Sequence, residues 1–174
     1  MNIKNTVVIH PSGDDSTQFL RLVYGRWPAR ALEVEDSALT EFLGNYRVVA
    51  MGHGFQCGLF DASYKCILSD EHASALKKGV ENVFIWCYAS DFMRAHDLKG
   101  FATGMFISEV READFFGVPA SEDEINASND LFASIVGDCL HFPSATIYER
   151  VLRDYVIPGN KVVEYNRARM YLSA

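Results

Sequence analysis

Two short apolar runs constrain this chain more than anything else in it: Tyr46 to Gly54, Y-R-V-V-A-M-G-H-G, and Asn82 to Asp91, N-V-F-I-W-C-Y-A-S-D. Each is too brief for a helix and reads as a strand. Each also ends in a residue capable of chemistry, His53 in the first and Cys87 in the second. Adjacent parallel strands deliver their carboxyl ends to one edge of a sheet, the edge where open α/β folds put their ligand crevice. A thiol and an imidazole at those two ends would share a cleft. The imidazole could then take the thiol proton or stabilise the thiolate. The pattern proposes a nucleophile and its base.

The rest of the chain supplies the alternation that a parallel sheet needs. Thr6 to His10 reads as a first strand, stopped by Pro11-Ser12-Gly13. Asp14, Asp15 and Ser16 then cap a helix carrying Phe19, Leu20, Val23 and Tyr24, ended near Gly25. Trp27-Pro28 reads as loop, with an extended segment possible in A-L-E-V-E. Asp36 or Ser37 would cap a short helix bearing Leu39, Phe42 and Leu43, with Gly44 as its stop. Gln56 to Leu68 reads as a hairpin around Asp61-Ala62-Ser63. Ser69 caps a helix over Asp70 to Lys78, and a further helix is expected over Asp91 to Leu98. Phe101 to Glu109 reads as another buried strand. Ser121 with Glu124 matches a capping box ahead of Ile125, Phe132, Ile135, Val136 and Cys139. Ser144 starts a helix with Ile147, Tyr148, Val151, Leu152 and Tyr155 on one face, ended by Pro158-Gly159. The tail from Lys161 reads as a final edge strand. Strand and helix alternating in this way imply right-handed crossovers and a parallel sheet.

Composition limits the function classes. A length of 174 residues suits one domain, and 16 basic against 23 acidic residues give a net charge of −7, which disfavours nucleic acid and anionic lipid as partners. No run approaches the ~18 apolar residues of a membrane span, and the N-terminal run is too short for a signal peptide, so a cytoplasmic location is expected. Cys57, Cys66, Cys87 and Cys139 are expected as free thiols. His53, Cys57 and Cys66 match no common zinc spacing, so no metal is expected; no phosphate-binding glycine motif occurs, so no cofactor is implied either.

An apolar strand ending in His-Gly, then a hairpin and helix, then an apolar strand ending in Cys, resembles the caspase-like cysteine peptidases, the superfamily of caspases, legumains, gingipains and separases. The resemblance covers about Thr6 to Glu109. Trp86 and Ala89 stand where the caspase signature has a small residue and a glycine, so the chain is not a true caspase. The resemblance implies a three-layer α/β/α fold with a mainly parallel caspase-like sheet, and a small hairpin after the His strand. It implies His53 and Cys87 as a catalytic dyad, the backbone amides of Gly54 and Cys87 as an oxyanion hole, and a peptide or protein as substrate. Asp91 and Glu109, near the same predicted edge, could line a substrate pocket and favour a basic side chain. Strand alternation puts Val83, Ile85 and Cys87 on one face and Phe84 and Trp86 on the other, which leaves Trp86 a packing role. Two other classes fit the same residues: a caspase-like binding or regulatory module without activity, and a flavodoxin-like small-molecule domain in which the Cys and His are incidental.

Overall fold

The computed structural model describes residues 6–27, 43–79 and 81–174, together with the backbone of 30–31. The expected helix of Asp36 to Phe42 lies outside the described residues. The protein is α/β, with a mixed, mostly parallel main sheet and a small antiparallel one. The main sheet is built from β1 (Thr6–Ile9), β2 (Arg30–Ala31), β3 (Arg47–Met51), β7 (Asn82–Ile85), β8 (Gly100–Thr103) and β9 (Met170–Ser173), in the order β2-β1-β3-β7-β8-β9. Every neighbouring pair is parallel except β8 with β9. The small sheet joins β4 (His53–Phe55), β5 (Gly58–Phe60) and β6 (Cys66–Leu68).

Both faces of the main sheet are apolar, which is why its strands read as unbroken hydrophobic runs. Val8, Val49, Met51, Val83, Ile85 and Phe101 pack in one cluster with Phe132 and Val136 of α5 (Glu122–Cys139) and Ile147 and Val151 of α6 (Ser144–Asp154). Val7, Val48, Ala50, Phe84 and Trp86 pack in a second cluster. Their partners there are Leu76 of α2 (Ala73–Leu76) and Phe92 and Met93 of α3 (Ala89–Ala95). Val83 and Ile85 thus fall on the face opposite Phe84 and Trp86, following the two-residue period of a strand.

The local helix signals act as the physics of caps requires. Asp14 accepts from the Ser16 amide at 2.9 Å and opens a 3-10 helix, Asp15–Leu20, that runs into α1 (Arg21–Tyr24). Ser69 opens a shorter 3-10 turn, Asp70–His72, leading into α2. Ser121 and Glu124 form the reciprocal capping box that starts α5.

Three expectations need revision. His53 does not end the preceding strand. β3 stops at Met51, Gly52 takes a φ of +142° that bends the chain, and His53 begins β4. The strand expected from Phe101 to Glu109 stops at Thr103, because Gly104 turns aside to accept from the Tyr88 amide and donate to Arg169. Glu109 instead caps the helix α4 (Val110–Phe115). In the tail, Asn160 caps α7 (Lys161–Arg167) by accepting from the Val163 amide at 3.1 Å, so the edge strand is confined to β9. Among the described residues no helix is long and apolar enough to cross a membrane.

One buried cation holds the far end of the sheet. Arg47, 4% exposed at the start of β3, donates through Nη1 to the carbonyls of Leu140 at 2.6 Å and Phe142 at 2.8 Å. Those carbonyls follow the last turn of α5, where a positive charge is favoured. Replacing Arg47 with Met would strand both acceptors, so we expect a loss of about 2 to 4 kcal/mol in denaturant unfolding. A loss under about 0.5 kcal/mol, the scale of an ordinary surface substitution, would show that these bonds contribute little.

Candidate functional site

The site is assembled where β3 and β7 end side by side. Met51 pairs with Ile85, and just beyond them the Gly52 amide donates to the Ile85 carbonyl at 3.0 Å. His53 follows one residue after that bond and Cys87 two residues after Ile85. Cys87 sits on a tight strand-to-helix turn. The Ala89 amide closes onto the Trp86 carbonyl at 3.1 Å, and Thr103 Oγ1 donates to that same carbonyl at 2.8 Å. Tyr88, next to the thiol, is held at a φ of +66°. For a bulky residue that left-handed conformation costs about 1 to 2 kcal/mol.

Trp86 fastens the His53 strand to the Cys87 strand. Its Nε1 donates to the Phe55 carbonyl at 3.1 Å. Its ring lies so close to Gly54 that a Cβ there would come within 2.1 Å of Trp86 Cδ1. Glycine after His53 is therefore a packing requirement imposed by the indole. The tryptophan is a structural member of the second apolar cluster, and it also sets the spacing between the two chemical groups.

His53 and Cys87 line one cleft of about 470 Å³, together with Gly54, Tyr88, Asp14 and Glu112. They do not hydrogen-bond to each other. His53 Nε2 lies 2.5 Å from Asp14 Oδ2 and 2.9 Å from Ser16 Oγ, while Ser16 Oγ donates to Asp14 Oδ1 at 2.7 Å. Burial works against the Asp14 charge, but hydrogen bonds from Ser16 and the neighbouring imidazole outweigh it and hold the carboxyl below its ordinary value. An ionised Asp14 can only accept, so whenever the His53 ring carries a single proton that proton is favoured on Nε2, with the lone pair on Nδ1. Among the described residues Nδ1 has no partner. A carboxylate thus engages one ring nitrogen, and the Cys87 thiol engages neither.

The thiol is held elsewhere. Cys87 Sγ donates to the Phe106 carbonyl at 3.4 Å and lies 3.9 Å from Glu112 Oε1. Burial, followed by the charge of Glu112, pushes the thiol up to about 12. Burial also raises Glu112, against the hydrogen bonds that Ser108 donates to it. The amide of Cys87 has no acceptor among the described residues, which leaves it free to donate into the cleft.

Asp91 and Glu109 lie apart from this cleft. Asp91 pairs with Arg94 at 3.0 Å in the first turn of α3, and Glu109 lines a neighbouring groove with Asp15, Ser16 and Ser108. Asp14 and Glu112 stand in the cleft instead, and sequence reasoning treated neither as a site residue. His10 bonds to Tyr24 at 3.0 Å and Thr17 at 3.3 Å, and burial lowers it to about 4, which makes it a neutral packing residue. All four cysteines are free, and no cluster of His, Cys, Asp or Glu suited to a metal occurs among the described residues. No family model, curated protein or solved structure matches the chain.

The charge of Glu112 has a measurable consequence. Alkylation of wild-type Cys87 by iodoacetamide should keep rising beyond pH 10, with no plateau near the usual thiol value of about 8.5. Glu112→Gln keeps the capping geometry and removes the charge, so labelling at pH 8 should accelerate, by about tenfold for each unit that the thiol falls. Mass spectrometry of the Cys87 peptide reads the rate. Equal rates in the two proteins would show that Glu112 does not restrain the thiol.

Proposed function

We propose that the chain is a caspase-like cysteine peptidase with a three-layer α/β/α architecture, acting on a peptide or protein substrate. The observation that carries this reading is the oriented imidazole: Asp14 holds Nε2 of His53 and leaves Nδ1 free, in the same cleft as the Cys87 thiol. The Cys and His strand ends are neighbours in a parallel sheet, with a small antiparallel sheet following the histidine, and both features support the family resemblance.

In this mechanism a rotation about χ1 of Cys87 carries the sulfur from Phe106 and Glu112 towards His53. Nδ1 of His53 takes the thiol proton as Sγ attacks the scissile carbonyl carbon. The amides of Gly54 and Cys87 donate to the oxyanion. The tetrahedral intermediate collapses to a thioester as His53 delivers the proton to the leaving amine. Water, deprotonated by His53, then hydrolyses the thioester, and the thiol recovers its proton. A thiol with a pKa near 12 favours proton transfer concerted with attack over a preformed thiolate.

A second reading is favoured by a different observation. Cys87 is held by Phe106 and Glu112 rather than by His53, as suits a caspase-like domain that binds peptides without cutting them. Hydrolysis of a fluorogenic peptide library separates the two readings. A peptidase should lose all detectable turnover as Cys87→Ala or His53→Ala, and Asp14→Asn should lower kcat by about 10² to 10⁴. Wild-type protein that binds peptides but never cleaves them would establish the module.

A further inference from the structure

Residues 104–109, which link β8 to α4, carry the groups that hold the Cys87 thiol. Phe106 offers its carbonyl to Sγ, and Ser108 binds Glu112 through its amide at 2.7 Å and its hydroxyl at 3.1 Å. The segment belongs to no strand or helix, so no regular ladder fixes its backbone. Phe106 and Ile107 are nonetheless buried, and buried amides and carbonyls need partners.

Two asparagines supply them. Asn166 of α7 accepts from the Ile107 amide at 2.7 Å through Oδ1 and donates to the Ile107 carbonyl at 2.9 Å through Nδ2, the paired exchange that facing residues of antiparallel strands make. Asn129 of α5 donates through Nδ2 to the Ser108 carbonyl at 2.9 Å. Asn166 is fully buried and Asn129 is 4% exposed. Asn166 Nδ2 also donates to the Tyr155 hydroxyl at 3.2 Å, which bonds to Ser128 Oγ at 2.6 Å, so a second contact fixes the orientation of the amide.

Amide side chains are costly to bury, and both of these direct hydrogen bonds at one three-residue stretch. That stretch meets the thiol at Phe106 and, at Ser108, the Glu112 carboxylate that also lies against the thiol. The two-point grip falls on Ile107, between those contacts. We propose that Asn166 is a positioning residue for Cys87, pinning Ile107 so that the Phe106 carbonyl and Glu112 keep the sulfur at its resting place, with Asn129 as a second fastening. Its bearing on catalysis rests on the peptidase reading, but the positioning itself is measured without turnover. Releasing the grip lets the segment open locally and uncovers the sulfur. Burial is the chief reason the proton stays on that thiol, so thiolate then forms at lower pH.

Iodoacetamide labelling of the whole protein between about pH 7 and 10, read by mass spectrometry at the Cys87 and Cys139 peptides, tests this. Cys139 is a second buried thiol, on α5, and it reports general loosening of the fold. Asn166→Ala should label Cys87 about tenfold faster at pH 8, the effect of a thiol lowered by about one unit, while Cys139 keeps its wild-type rate. Asn129→Ala leaves the Ile107 grip in place and should act in the same direction by less, and it carries the test if Asn166→Ala does not fold. Ser128→Ala removes a buried hydrogen bond of the same network that does not reach residues 106–108, and should leave Cys87 labelling unchanged. Cys87 labelling at the wild-type rate in the folded asparagine variants, equal acceleration of Cys87 and Cys139, or Ser128→Ala matching Asn166→Ala would overturn the proposal. Peptide cleavage separates the failures. Selective labelling in Asn166→Ala with no peptide cut by the wild-type protein refutes the peptidase and leaves the positioning role, whereas cleavage with unchanged labelling refutes that role and leaves the peptidase.

Discussion

The parallel pairing of β3 with β7 is the constraint on which the rest depends. Val49, Ala50 and Met51 lie in register with Val83, Phe84 and Ile85, and every one of these residues is buried. The pair is enclosed by an apolar cluster on each face, so a shift by one residue would turn each side chain towards the wrong cluster. That register carries two chain ends to one edge of the sheet, and it is why an imidazole and a thiol reach a common cleft. Trp86 completes the constraint from above, bonded to Phe55 and pressed against Gly54.

Electrostatics divide the cleft between its two chemical groups. On the His53 side, Asp14 is both the cap of a 3-10 helix and the partner of the imidazole, so one carboxylate fixes a helix start and a tautomer together. On the Cys87 side, burial and the Glu112 carboxylate keep the proton on sulfur. A buried thiol beside a carboxylate is a poor nucleophile until it is moved or its neighbour neutralised. On the peptidase reading, substrate or motion has to bring sulfur to nitrogen before the thiol reacts.

Much of the sheet could be read from the sequence because strands buried on both faces leave unbroken apolar runs, as in Thr6–Ile9 and Asn82–Ile85. The Ser121 cap was legible for an equally local reason, since its partner Glu124 is three residues away. The bend at Gly52 was not legible. A glycine between a strand and a histidine reads alike whether the strand continues or turns, and only the fold shows Gly52 at a φ of +142°, packed between the side chains of Leu59 and Pro11. The tail misled through its β-branched Val162 and Val163, which propensity assigns to a strand and which the Asn160 cap and burial on α7 hold in a helix. Asp14 was recognisable as a cap, but a cap uses one carboxylate oxygen, and what the other oxygen meets 39 residues later in the chain is a fact of tertiary structure. Glu112 was hidden likewise, because its capping partner is a glutamate rather than the usual serine or threonine.

The central claim is that Cys87 and His53 act as one chemical unit despite their separation at rest. Covalent capture of Cys87 by peptidyl chloromethyl ketones, quantified by intact mass, tests it most directly. The account predicts modification of Cys87 in the wild-type protein and its loss in folded His53→Ala, while labelling by iodoacetamide persists in both. Equal capture with and without the imidazole would contradict the claim.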